Sequence, residues 1–207
     1  MKRSLFVLSL LIILVFHSSC SPRTIKRKDK IIFNENNYTA CFAIDLDLEK
    51  EIDDLLMPIG SFDVLTVNEI RELPVSEWIY LTGETNGCSY YLGLYVSDSK
   101  AINSLSDFNA DSVCIFDASS LEGVYKTEDI SEITYMTNCI IKGNKVDNKN
   151  QASVELQNQY RIAFRSSDFP NLVYPYNLDI SIKDNYYIWS NDEVYQIDDS
   201  LKKYIKR

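Results

Sequence analysis

The end of the chain alternates in a way that few folds can absorb. Leu178-Asp179-Ile180-Ser181-Ile182-Lys183 puts an apolar residue at every second position, and Asp184-Asn185 supplies a turn. Tyr186–Trp189 follows, then a second turn at Asn191-Asp192 and the run Val194-Tyr195-Gln196-Ile197. Successive strand side chains point to opposite faces, so a period of two describes strands with one buried face. Turn pairs this short join antiparallel neighbours, which predicts a β-meander.

The same vocabulary recurs upstream. Phe62–Val67 and Glu77–Leu81 read as strands, with Asn68–Leu73 a short helical turn between them. Thr82–Gly87 reads as a turn, and Ser89–Ser97 as a strand returning to form a hairpin with 77–81. Ser112–Phe116 is nearly all apolar and predicts a central strand, and Ile130–Ile141, rich in Ile, Thr and Tyr, reads as extended. Helical spacing is found in three places. Leu48, Ile52, Leu55 and Leu56 share one face of Asp45–Met57, before Pro58 and Gly60. Ile102, Leu105 and Phe108 share a face of Ser99–Phe108, and Leu156, Tyr160, Ala163 and Phe164 a face of Ala152–Phe164. A short basic helix over Leu201–Arg207 closes the chain. The expected class is α+β: a mostly antiparallel sheet with two or three helices, ending in the β-meander.

The beginning obeys different rules. Lys2-Arg3 precedes the apolar block Leu5–Phe16, which only Ser9 interrupts. Crossing about 30 Å of hydrocarbon takes about twenty helical residues, so this block is too short to span stably. A basic start, a short apolar core and then small residues form the secretory signal pattern. His17-Ser18-Ser19-Cys20 then resembles the lipobox of bacterial lipoproteins, although His17 stands where that family usually has a branched aliphatic residue. The resemblance covers the first twenty residues. It implies cleavage before Cys20 and acylation of that cysteine, a palmitate-type anchor; several chains at about 0.8 kcal/mol per buried methylene hold firmly. The expected organisation is a signal peptide over 1–19, a lipid-anchored basic linker over 20–37 and one globular domain over 38–207. The expected location is the bacterial cell envelope, at the outer membrane facing the periplasm.

Charge separates the two parts. Of 21 Lys and Arg and 30 Asp and Glu, seven basic residues but only Asp29 lie in the first thirty positions, so 14 basic and 29 acidic residues remain beyond, a net of −15. So acidic a body is repelled by phosphate backbones, which argues against nucleic acid as a partner. The single histidine, His17, leaves with the signal peptide. Without imidazole, Ser-His-Asp and Cys-His nucleophile pairs and histidine zinc sites are excluded. Assigning Cys20 to lipid leaves Cys41, Cys88, Cys114 and Cys139, an even set with no CxxC spacing, for which at least one disulfide is expected in an oxidising compartment.

No motif implies a cofactor or a metal. Asp45, Asp47 and Glu49 have the spacing of the first ligands of a calcium loop, but Lys50 stands where the turn glycine belongs and Leu56 where the bidentate Glu belongs. No catalytic residue is assigned. The function expected is a membrane-anchored lipoprotein whose acidic domain binds or scaffolds another envelope component, protein or glycan. Tyr90, Tyr91, Tyr95, Tyr174, Tyr176, Tyr186, Tyr187 and Trp189 are candidates for an aromatic recognition surface. The alternative is a carboxylate-dependent glycoside hydrolase or a glycan-binding protein. Hydrolysis needs only two acids at a set separation, and Glu77 and Glu84 are the candidates.

Overall fold

The computed structural model describes residues 28–205 apart from 48, 86–87, 101, 103, 147–154 and 191–192, and apart from the side chains of 85, 88 and 89. The leader, Cys20 and the start of the basic linker lie outside these residues. Among the described residues strands make up 52% and helices 16%, and every strand pairing is antiparallel. The expected antiparallel sheet is therefore present, but α+β overstates the helices.

Six strands form the first sheet: β1 (Lys30–Phe33), β2 (Asn36–Ala40), β4 (Leu56–Phe62), β5 (Leu65–Ile70), β6 (Trp78–Thr85) and β7 (Cys88–Ser97), in the order β1-β2-β7-β6-β5-β4. The expected hairpin is β6–β7, with Trp78 opposite Val96 and Ile79 opposite Tyr95. Because alternate residues face opposite sides, this sheet feeds two cores. Trp78, Tyr80, Leu94 and Val96 enter the main core, while Ile79, Leu81 and Tyr95 join Ile31, Tyr38 and Val67 in a smaller one. The sheet curls around that smaller core until its edges meet. A Cβ added to Gly60 on β4 would lie 3.0 Å from the ring of Phe33 on β1. Beside them Lys28 reaches both Asp63, at 3.7 Å, and the ring of Phe62, at 4.8 Å. Side chains thus cover the two edges that backbone hydrogen bonds leave open.

The second sheet holds β3 (Asp45–Leu46), β8 (Ser112–Asp117), β9 (Gly123–Thr127), β10 (Asn144–Val146), β11 (Leu156–Arg165), β12 (Leu172–Ser181), β13 (Tyr186–Ser190) and β14 (Glu193–Ile197). Its order is β10-β14-β13-β12-β11-β8-β9, with β3 added to β12. The meander is β12–β13–β14, in register from Ile180 opposite Tyr186 to Ser190 opposite Glu193. An aromatic chain ties the sheets together: Trp78 meets Phe169 at 5.7 Å, Phe169 stacks on Phe108 at 5.4 Å, and Phe108 meets Tyr174 at 5.9 Å.

Helices differ most from expectation. Asp45–Met57 is not one helix: Asp45–Leu46 pairs with β12, only Ile52–Leu55 (α1) is helical, and Leu56 already begins β4. Pro58 does not end a helix but lies in that edge strand, at a register break between Pro58 and Gly60, where a missing N–H is tolerated. The strand predicted over Phe62–Val67 is split by a turn at Asp63-Val64, where Asp63 takes a φ of 58°, and Asn68–Ile70 continues β5 instead of turning into a helix. Ser99–Phe108 gives a single 3-10 turn over Asp98–Lys100 among its described residues, and Leu105 and Phe108 are buried from turns. The described part of Ala152–Phe164 is strand β11.

Conversely, the stretch predicted extended, Ile130–Ile141, is the longest helix, α2. Asp129 caps it by accepting from the Ser131 N–H at 2.8 Å, and Ile133, Met136 and Ile140 share its buried face. Its end is seated tightly, since a Cβ on Gly143 would lie 2.9 Å from Tyr195 Cβ and 3.1 Å from the Ile140 carbonyl. A 3-10 turn over Asp199–Leu201 leads into α3 (Lys202–Ile205). No disulfide is found among the described residues, so the expected bridge is not met there. Cys41 and Cys114 are buried, Cys139 is half-buried, and the side chain of Cys88 lies outside the description.

Candidate functional site

The sequence candidates scatter. Tyr95, Tyr174, Tyr176 and Tyr186 are core residues, and of the eight aromatics only Tyr91 is well exposed, at 52%. They form no common platform. Glu77 immediately precedes β6 and Glu84 lies near its far end, seven residues on, which at about 3.3 Å per residue separates them by roughly 23 Å. Glycoside hydrolysis needs acids about 5–9.5 Å apart, so this pair is not brought together. Glu77 instead meets Lys100 at 3.2 Å.

The structure brings other residues together at a fault in the second sheet. On its edge away from β11, β12 pairs with β3 at Leu172 and Val173 and with β13 from Asn177 onward. Residues 174–176 between them have no strand partner on that side. Pro175 sits in this gap, and a residue without N–H cannot extend a ladder. The chain from Cys41 to Ile44 therefore leaves β12 and crosses to the first sheet, where the Cys41 N–H donates to the Leu94 carbonyl at 2.9 Å. The fork opens a cleft of about 460 Å³ whose lining includes Phe42, Asp45, Tyr91, Arg161, Asn177 and Ser190 beside Pro175. Phe42 is 56% exposed and Tyr91 52%.

Strand alternation explains why Arg161 is there. Tyr160, Ile162 and Phe164 point into the main core, so Arg161, Ala163 and Arg165 leave β11 on the opposite face. Arg165 is fully engaged. Its Nε donates to Asp47 Oδ2 at 2.7 Å and its Nη2 to Asp47 Oδ1 at 3.0 Å, and it also reaches Glu49 and the Cys114 sulfur. Burial alone would lower the pKa of this guanidinium, but the hydrogen bonds and charge of Asp47 more than offset it and hold the group charged. Two of the three calcium-like acids are thus occupied by a guanidinium, and no cluster of three metal-ligating groups is found among the described residues. Burial is also what pushes the Cys114 thiol upward, with Arg165 pulling the other way.

Arg161 differs. It is half-buried, lies opposite Asn177 on β12 and Phe116 on β8, and makes no ion pair among the described residues. It lines the cleft and also an adjoining, mostly apolar hollow of about 210 Å³ floored by Ala163 and Val173 and bordered by Phe116 and Leu121. Farther along the same face, buried Asp179 accepts from Gln159 Nε2 at 3.1 Å and from Trp189 Nε1 at 2.9 Å. A concave site with aromatic rings at its rim and a few convergent polar groups suits a small polar ligand.

Sequence reasoning missed Phe42, Arg161 and Asn177. Reading 152–164 as a helix put Arg161 and Arg165 on a polar helix flank, whereas a period of two would have placed both on one strand face. Comparison with family models, with curated proteins and with solved structures finds no match to this chain. The class that the fold defines is therefore architectural: a largely β protein of two sheets, antiparallel throughout the described residues, that share a main core.

Proposed function

We propose that this chain is a membrane-anchored envelope lipoprotein whose acidic β domain binds or scaffolds another envelope component. The observation that carries the reading is the leader: a basic start, an apolar block too short to span, and Ser18-Ser19 before Cys20. Among the described residues no helix is long and apolar enough to cross a membrane. In this reading the acyl chains on Cys20 hold the protein at the outer membrane, facing the periplasm. The following basic residues, from Arg23 to Lys30, lie between lipid and a body of opposite charge. The inter-sheet cleft is the proposed binding region, because it combines exposed aromatic rings with a guanidinium that makes no ion pair among the described residues.

Fractionating cells that express Cys20→Ala tests the anchor. Wild type is expected with the membranes and the variant in the soluble fraction. Retention of the variant at the membrane would assign anchoring to the apolar leader and remove the lipoprotein reading. In-cell crosslinking of the tagged protein tests the second half, with an envelope component captured above background as the expected result. Recovery of none would remove the scaffold role.

A further inference from the structure

We infer that the cleft at the Pro175 gap is a binding site for a small acidic sugar, whose carboxylate is taken by Arg161 while a sugar ring lies against Tyr91 and Phe42. This deepens the proposed binding role by naming the ligand class, and it rests on that reading only for the site being used in the envelope. The charge and the lining of the cleft carry it. Arg161 presents up to five N–H donors in a planar fork that fits a carboxylate, and it has no acidic partner among the described residues. Of the acids on this side of the sheet, Asp47 and Glu49 are held by Arg165 and Asp179 by Gln159 and Trp189; Asp45, which also lines the cleft, accepts from the Leu46 N–H at 2.9 Å and forms no ion pair with Arg161. An arginine left half-buried without a counter-ion beside a cavity is a charge that a ligand can complete.

The shape and lining of the cleft select among anions. A peptide binding by strand addition needs an open ladder, and Pro175 removes a donor in the middle of the gap. A polyphosphate or nucleic acid would meet a body of net charge −15 and only one uncommitted guanidinium in this cleft, so a ligand with a single charge is favoured. Asn177 and Ser190 offer hydrogen bonds suited to hydroxyl groups, and about 460 Å³ accommodates a mono- or disaccharide.

The test is calorimetric titration of the purified full-length protein with galacturonic acid, its methyl ester and an N-acetylated dipeptide with a free C-terminal carboxylate. Binding of the acid, weakened on the order of tenfold by esterification, is the expected result, as one charge-assisted contact is worth about that factor. Arg161→Gln should reproduce the loss at unchanged melting temperature, and Arg161→Lys should restore part of it. Tyr91→Ala should also weaken binding. Equal binding of acid and ester, absence of binding to the acid, or preference for the dipeptide would overturn the assignment. The ester comparison uses the wild-type chain, so it does not depend on any variant folding. A negative result here with a positive Cys20→Ala fractionation would remove the ligand and keep the anchor.

Discussion

Arg161 and Arg165 leave the same face of one strand four residues apart, yet they do opposite things. Arg165 is 17% exposed and Asp47 10% exposed, and their two hydrogen bonds tie β11 to the segment after β3. Removing one partner strands the other charge in a partly buried place, so Arg165→Met is expected to lower unfolding free energy by about 2–4 kcal/mol. Replacing both, as Asp47→Leu with Arg165→Met, should cost much less, because nothing charged is left behind. Urea denaturation of the two single variants and the double variant measures this coupling; additive losses would show that the pair does not act as a unit. The cysteines make a second residue-scale case. The Cys114 thiol is buried and its pKa is raised by that burial, so little thiolate forms at neutral pH. Alkylation of the native protein followed by peptide mapping should modify half-buried Cys139 before Cys114, and the reverse order would contradict the burial.

At the scale of elements, the sequence carried two periods at once and the tertiary structure chose between them. Leu156, Tyr160, Ala163 and Phe164 fit a helix, but Tyr160, Ile162 and Phe164 fit a strand, and pairing with both β8 and β12 decided for the strand. In α2 the reverse occurred. β-branched residues suggested extended chain, while Asp129 and the spacing of Ile133, Met136 and Ile140 specified a capped amphipathic helix. The hairpin β6–β7 and the terminal meander were legible because short turns fix their register locally. The gap at Pro175 was not, since it depends on which strands flank β12. Two expectations belong here. Gly60→Ala should push the Phe33 ring and destabilise the curled sheet by about 1 kcal/mol, with Phe33→Leu recovering part of the loss in a double-mutant cycle.

The start of α2 should also respond to acid. Hydrogen bonds from Tyr125 at 2.5 Å and Thr127 at 2.7 Å lower the Glu132 pKa, and the Ser131 hydroxyl and N–H lower that of Asp129. Both carboxyls have a lower pKa folded than unfolded. Their contribution is therefore full above the ordinary carboxylate range, near 4, and is lost as pH falls below it. Amide exchange should show the first turn of α2 opening as pH falls below about 4, before the centre of β11, and simultaneous opening would argue against a local carboxylate effect.

For the whole molecule, the two cores and fourteen strands of the described residues belong to a body of net negative charge that follows a basic segment. The folded part also reaches further back than the tether first suggested, since Ile31 is buried and Lys30–Phe33 pairs with 36–39. In the proposed reading the segment between Cys20 and Asp29 would hold the body to the membrane, and about ten residues of chain can span at most roughly 35 Å. The proposed role therefore depends on what happens at Cys20. Intact mass and N-terminal peptide mass spectrometry of the protein isolated from membranes addresses this directly. The expected result is loss of Met1–Ser19 and a diacyl or triacyl mass on Cys20. A retained leader, or an unmodified Cys20 at the new N-terminus, would contradict a lipid-anchored protein.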